Sequence, residues 1–259
     1  LDLTVFPDLL VFFTFLLFSL FTLFQPSERQ NAFSRTRLEW FIDAFGLILQ
    51  GIVIPFLQYF IVFQLYAYLL PQEKASWKLS PLLSFLLQFL LVDYLYYWNH
   101  RLLHSDFFWS LHRLHHSSTQ FDLWISSRNT ILAPFCIVYL WINPLFLYLL
   151  HNPFPFLLSM AFTASLDLWR HTRFTPSPKH PLHSLLQIFW ITPHEHAWHH
   201  SQTQQRKNFG ANFSLWDRLH QTYLSPNVFP TRLGLSSPLN LGQEWLFPWK
   251  RKKYSTVSD

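Results

Sequence analysis

The chain has 259 residues, of which 50% are hydrophobic, 20% aromatic and only 13% charged, with a formal net charge of +5. Ordinary soluble domains carry about 25% charged residues, so this composition excludes a typical soluble globule. The single cysteine, Cys136, excludes a disulfide framework and any thiolate-rich metal site; it lies in an apolar run and reads as a small buried hydrophobe.

A membrane-crossing helix needs about 20 largely apolar residues. Taken in order, the candidate segments are 5–24, 45–70, 79–98, 130–150 and 154–169. The first has a signal-peptide-like core, but no basic stretch precedes it and no small-residue cleavage site follows, so it reads as a retained span. The last is short. With its predecessor it is expected to form a hairpin that crosses or dips, and either geometry returns the chain to the side it left. If 79–98 exits on one side, that side holds 17 of the 19 Lys and Arg residues, including the 250–253 run, while Lys74 and Lys78 are alone on the other. The positive-inside rule makes the basic side cytoplasmic. The basic surplus therefore belongs to a membrane face, and no nucleic-acid partner is expected.

Nine histidines follow these spans in four clusters, all on the predicted cytoplasmic side. His100 and His104 form an H-x-x-x-H; His112, His115 and His116 form an H-x-x-H-H; His171 stands alone; His196, His199 and His200 repeat the H-x-x-H-H. Residues three and four apart share a helix face, so each cluster aims its rings one way. Imidazole is a common ligand for iron, zinc, copper and nickel. Nine neutral ligands are too many for one tetrahedral ion and suit two metals of four or five ligands each. Soluble di-iron bundles use Glu-x-x-His, which this chain lacks, so an all-imidazole pair is a different solution. It fits iron that activates O2 beside a membrane. Asp93, seven residues before His100, and Asp167, four before His171, are placed to accept a hydrogen bond from a ligating ring. A cap or an ion pair to Arg101 or Arg170 is the competing role. His151, His180, His183, His194 and His220 read as non-ligands.

The motifs around these histidines are similar to those of the fatty acid hydroxylase/sterol desaturase superfamily. Asp93-Tyr-Leu-Tyr-Tyr-Trp-Asn-His100-Arg101, Trp109-Ser-Leu-His112-Arg-Leu-His115-His116 and Thr192-Pro193 ahead of His196-Ala-Trp-His199-His200 resemble its histidine boxes. Asn208-Phe-Gly and Leu215-Trp-Asp-Arg-Leu resemble its closing signature, although Phe209 replaces Tyr and His220-Gln221 replaces Phe-Gly. The resemblance covers roughly 90–225. It implies an all-α integral membrane protein with four or five transmembrane or re-entrant helices and a cytoplasmic histidine-rich helical cap. It also implies a di-iron, O2-dependent lipid hydroxylase, with all nine clustered histidines as metal ligands and no further catalytic group specified. Zinc could replace iron in purified protein. Tyr96 and Tyr97 are candidate pocket residues, and Trp216-Asp217-Arg218 is expected to pin the tail. The chain carries no fused haem, iron–sulfur or dinucleotide motif, so electrons are expected from an external cytochrome b5 or ferredoxin with its reductase, docking on the basic face.

The expected organisation is a single membrane-embedded domain, with N-terminal helices over 1–78, a histidine-box core over 79–225 and a tail over 226–259. Segments 71–78 and 225–249 are candidate entry elements for a lipid. A desaturase with the same metal site is the near alternative; substrate class (fatty acyl, sterol or alkylglycerol) stays open, as does bacterial inner membrane against endoplasmic reticulum. A metal transporter or storage protein would string polar residues through several spans, a bis-histidine haem protein needs fewer ligands, and a zinc hydrolase needs an H-E-x-x-H that is absent.

Overall fold

The computed structural model describes residues 6–235, 239–246 and 248–249, and the basic run at 250–253 lies outside them. The described residues are helical, with isolated bridges in place of any sheet. Among the described residues, three helices are long and apolar enough to cross a membrane: α1 (Phe6–Phe24), α3 (Arg37–Leu69) and α4 (Pro81–Leu103). This is an integral membrane protein. A short α2 (Pro26–Phe33) links the first two. Helix α3 begins eight residues earlier than the apolar run suggests, because Thr36 and Glu39 form a reciprocal capping box at its start. Gly46 on α3 is needed for close packing, since a Cβ there would stand 2.2 Å from the Ser127 carbonyl oxygen.

The predicted 130–150 span is not one helix. Pro134 starts a single turn, Ala133–Cys136, that ends before Ile137, and α5 then runs over Tyr139–Leu149. Helix α6 (Phe154–Arg170) returns. The tip of this hairpin meets the loop between α3 and α4: Ala75 N donates to Tyr148 O at 2.9 Å and Trp77 N to Leu149 O at 2.8 Å. That loop lies at the Pro81 end of α4, about 28 Å along the helix from His100. Segment 71–78 is thus remote from the nine clustered histidines. The hairpin does bring His171 back to the His100 end. Buried Gln88 on α4 accepts from Ser159 and Thr163 of α6 at 2.8 and 3.2 Å, a polar tie where hydrophobic attraction between helices is weak.

Beyond the hairpin lie α7 (Pro181–Phe189), α8 (Pro193–His199), α9 (Ser214–Leu219) and α10 (Leu241–Leu246). Segment 226–235 straps across the histidine end: Trp198 Nε1 donates to Val228 O at 2.8 Å and Leu235 N to His116 O at 2.9 Å. A buried ion network fastens α3 to the 122–128 turn. Asp43 accepts from Arg128 Nε at 2.5 Å and from Arg35 Nε at 2.8 Å, and Arg35 also pairs with Asp122 at 2.6 Å.

Candidate metal centre

Four chain segments converge at one end of α4. His100 sits in its last turn and His104 at its C-cap. His112 ends the single turn Trp109–His112, and His115 and His116 open the next one. His171 caps α6. His196 and His199 project from α8, whose start is fixed by a capping box between Thr192 and Glu195, and His200 caps its end. All nine rings are buried, none more than 6% exposed. They fall into two groups, one of His100, His104, His112, His116 and His199, the other of His115, His171, His196 and His200, each with candidate ligand atoms within 4.8 Å of one another.

Backbone carbonyls orient the rings. Nδ1 of His100 bonds Phe209 O at 2.8 Å, Nδ1 of His199 bonds Lys207 O at 2.7 Å, Nδ1 of His171 bonds Asp167 O at 2.8 Å and Nδ1 of His115 bonds Arg128 O at 3.3 Å. A carbonyl only accepts, so each of these Nδ1 atoms carries the proton and each neutral ring turns its Nε2 lone pair inward. Yet His199 Nε2 lies 3.1 Å from His100 Nε2, and His171 Nε2 lies 3.5 Å from His115 Nε2. Two lone pairs at that range repel unless a cation sits between them. The spacing matches the edge between two nitrogens that each bind one metal at about 2.0–2.1 Å. Both ring nitrogens of His104 and His116, and Nδ1 of His112, His196 and His200, have no hydrogen-bond partner although buried. Burial first, and the charges of neighbouring rings second, hold His112, His116, His196, His199 and His200 well below the ordinary imidazole pKa. They are neutral, as metal ligands must be. The donor set therefore fits a pair of metal ions.

The 207–210 turn that presents the Lys207 and Phe209 carbonyls has a local cause. Asn208 adopts the left-handed conformation with φ 55°, which asparagine tolerates, and its side-chain nitrogen donates to Glu195 O at 2.8 Å and Leu224 O at 2.7 Å. A Cβ on Gly210 would stand 2.5 Å from Phe213 O, so glycine is required there. Asp217 accepts from Phe209 N at 2.8 Å and Gly210 N at 2.7 Å. The Trp-Asp-Arg motif thus pins the loop that aims His100 and His199. Arg218 donates to Gln187 O at 2.9 Å, tying the same helix to α7.

The two carboxylates proposed from spacing are placed differently. Asp93 reaches no histidine: it shares the helix face of His100 but lies about 10 Å away along the axis, where Asn212 N and Trp216 Nε1 donate to it at 2.9 and 2.6 Å. Asp167 Oδ1 pairs with Arg170 at 2.5 Å and stands 3.4 Å from His171 Nδ1, so it lies beside the ring while its backbone oxygen takes the proton. Of the two tyrosines, Tyr96 packs beside His100 with ring centroids 5.4 Å apart. Tyr97 faces the C-terminal segment instead, with its hydroxyl 2.9 Å from Thr222 Oγ1, since adjacent helical residues point about 100° apart. Sequence spacing missed Tyr139, which stacks on Tyr96 at 4.8 Å, and the carbonyls of Arg128, Lys207 and Phe209; a backbone atom leaves no residue signature. It also missed the approach of His183 to His194 and Glu195. An apolar groove of about 590 Å³, lined by Phe85, Phe89, Phe162, Trp169 and Trp190, opens between α4, α6 and α7.

An all-helical membrane scaffold whose helix ends gather histidines in this order defines a histidine-box membrane protein. Residues 85–222, more than half of the chain, match the fatty acid hydroxylase family, and the chain belongs to that family. It is 31% identical over 162 residues to alkylglycerol monooxygenase of Danio rerio, covering 61% of this chain and 34% of that protein. The human alkylglycerol monooxygenase is 29% identical over 157 residues, covering 59% and 33%. Ornithine lipid hydroxylase OlsE of Rhizobium tropici is 31% identical over 134 residues, covering 50% and 38%. The chain spans about a third of the length of these curated relatives. No solved structure matches it.

Proposed function

We propose that the protein is a di-iron lipid hydroxylase that inserts one atom of O2 into a C–H bond of a membrane lipid. The observation that carries this reading is the pair of inward-facing Nε2 contacts, His100 with His199 and His115 with His171, one in each histidine group. The group of His100, His104, His112, His116 and His199 would hold one metal and the group of His115, His171, His196 and His200 the other. Two iron ions, when bound, would supply O2 activation and hydrogen abstraction. The chain's part is to hold nine neutral imidazoles in fixed tautomers, exclude water from them and admit a lipid. Burial of every ring serves the second task. The aromatic groove beside α6 suits the third, because its walls are apolar side chains of α4, α6 and α7.

The names of the relatives support lipid hydroxylation over desaturation, and an ether lipid or an amino-acid-headed lipid is the first class to try. The predicted bias of 17 basic residues to the side that carries the histidine clusters favours a cytoplasmic orientation and an acidic external electron donor of the cytochrome b5 or ferredoxin type. On this reading 79–225 forms the catalytic core. The test is turnover of an alkylglycerol and an ornithine lipid by iron-loaded protein with O2 and a ferredoxin reducing system. A product heavier by one oxygen atom, absent with His112→Ala, is expected. A product lighter by two hydrogen atoms would make the enzyme a desaturase. No product from any lipid by iron-replete, reduced protein would count against the reading.

A further inference from the structure

A second cluster of metal-binding side chains lies outside the nine-histidine site. His183 on α7, His194 on α8 and Glu195 on α8 are all buried, none more than 1% exposed, and their candidate ligand atoms lie within 4.8 Å of one another. His194 Nε2 bonds Pro226 O at 2.6 Å. The carbonyl only accepts, so the proton is on Nε2 and the Nδ1 lone pair is free; Nδ1 has no partner although buried. Nδ1 of the buried His183 ring has no hydrogen-bond partner. Its Nε2 is 3.2 Å from Glu195 Oε1. That distance is close to the edge, about 3.3 Å, of a tetrahedral zinc site with ligands at about 2.0 Å. The two imidazole planes cross at 88° with centroids 5.2 Å apart, as rings do when both point at one ion.

Glu195 is already oriented for such a role. Ser225 Oγ donates to Oε1 at 2.6 Å, and Thr192 N and Oγ1 donate to Oε2 at 3.1 and 2.5 Å. Hydrogen bonds of this kind fix a ligating carboxylate, as the Pro226 carbonyl fixes the His194 ring. Two imidazoles and one carboxylate form a borderline donor set that suits zinc, and their summed charge of −1 partly neutralises a divalent ion.

We propose that His183, His194 and Glu195 form a third, mononuclear zinc site that joins α7 to the start of α8. The site is independent of the paired centre. It acts by position: the helix it anchors carries His196 and His199, and Glu195 caps that helix. An ordinary buried ion pair between His183 and Glu195 is the alternative.

Metal content per folded chain decides between them. Full-length protein in detergent is saturated with zinc, freed of excess metal and counted beside His183→Gln and His194→Gln, with gel filtration selecting folded material. Each variant should carry one zinc fewer than wild type, whatever number the paired centre holds. Equal zinc in all three proteins would overturn the proposal. A reading without any variant comes from wild-type protein saturated first with iron and then with zinc: one zinc per chain should bind in addition to the iron, and no zinc beyond the iron already bound overturns the proposal. The iron count in the same sample separates a failure of the paired centre from a failure of this site.

Discussion

His100 and His199 face each other with Nε2 atoms 3.1 Å apart, while each ring gives its only proton to a carbonyl, Phe209 O at 2.8 Å and Lys207 O at 2.7 Å. The arrangement stores repulsion between lone pairs that a bound cation converts into attraction. Metal and fold are therefore linked. A metal at a thousand times its Kd stabilises the folded chain by about 4 kcal/mol per site. Chelation should lower the melting temperature in detergent by about 8 °C or more, since one kcal/mol is worth roughly 2–4 °C in a chain of this size. An unchanged melting curve after complete metal removal would contradict the linkage.

Acid should destabilise the metal-free protein. Burial, with the like charge of neighbouring rings, depresses His112, His116, His196, His199 and His200 well below their ordinary pKa, and burial with the adjacent Arg170 guanidinium takes His171 to about 3. The unfolded chain binds protons as pH falls through about 6.5, while the folded chain does not until far lower. Stability is thus present above 6.5 and lost as pH falls below it, by about 1.4 kcal/mol per pH unit for each such ring. Melting of the metal-free protein should shift steeply downward between pH 6.5 and 5, and a flat profile would refute the assignment.

Asp217 touches no histidine but holds the loop that does. Asp217→Ala leaves Phe209 N and Gly210 N buried without an acceptor, at about 1–3 kcal/mol each. Displacing the Phe209 carbonyl also frees the His100 ring. The variant should be less stable by about 2–5 kcal/mol and retain less metal than wild type, whereas Asp217→Asn, which keeps one acceptor oxygen, should lie between. Wild-type metal content in a folded Asp217→Ala protein would break the proposed chain from Asp217 to His100.

The helices and the histidine clusters are legible in the sequence because they rest on composition and on helical period. Spans at α1 and α4 and the return of His171 to the His100 end follow from these alone. The break after Cys136 does not, because an apolar run reads as one span until the Pro134 turn and the extended Ile137 divide it. Asp93 shows the limit of spacing within the site: seven residues before His100 fixes a helix face, but only the packing of the 210–216 segment decides what that face meets. The groups that set the ring tautomers are carbonyls of Arg128, Lys207 and Phe209, which any residue type could supply. His183 meets Glu195 only through the fold of α7 onto α8.

The ion network beneath the site should be among the costliest to break. Arg128 is fully buried, pairs with Asp43 at 2.5 Å, and its own carbonyl bonds His115. Arg128→Met leaves a buried carboxylate with one partner fewer and should cost about 3–5 kcal/mol in denaturant unfolding. A loss under about 1 kcal/mol would mean that Arg35 alone satisfies Asp43.

The paired metal centre is tested most directly by counting iron per chain in protein purified gently from iron-replete cells. Two irons are expected at the paired centre, falling to about one when His104 and His116 are both changed to Ala, and likewise when His171 and His196 are changed, because each pair belongs to one group. One iron or none in folded, iron-saturated wild-type protein, or a count that neither double variant lowers, would contradict the account.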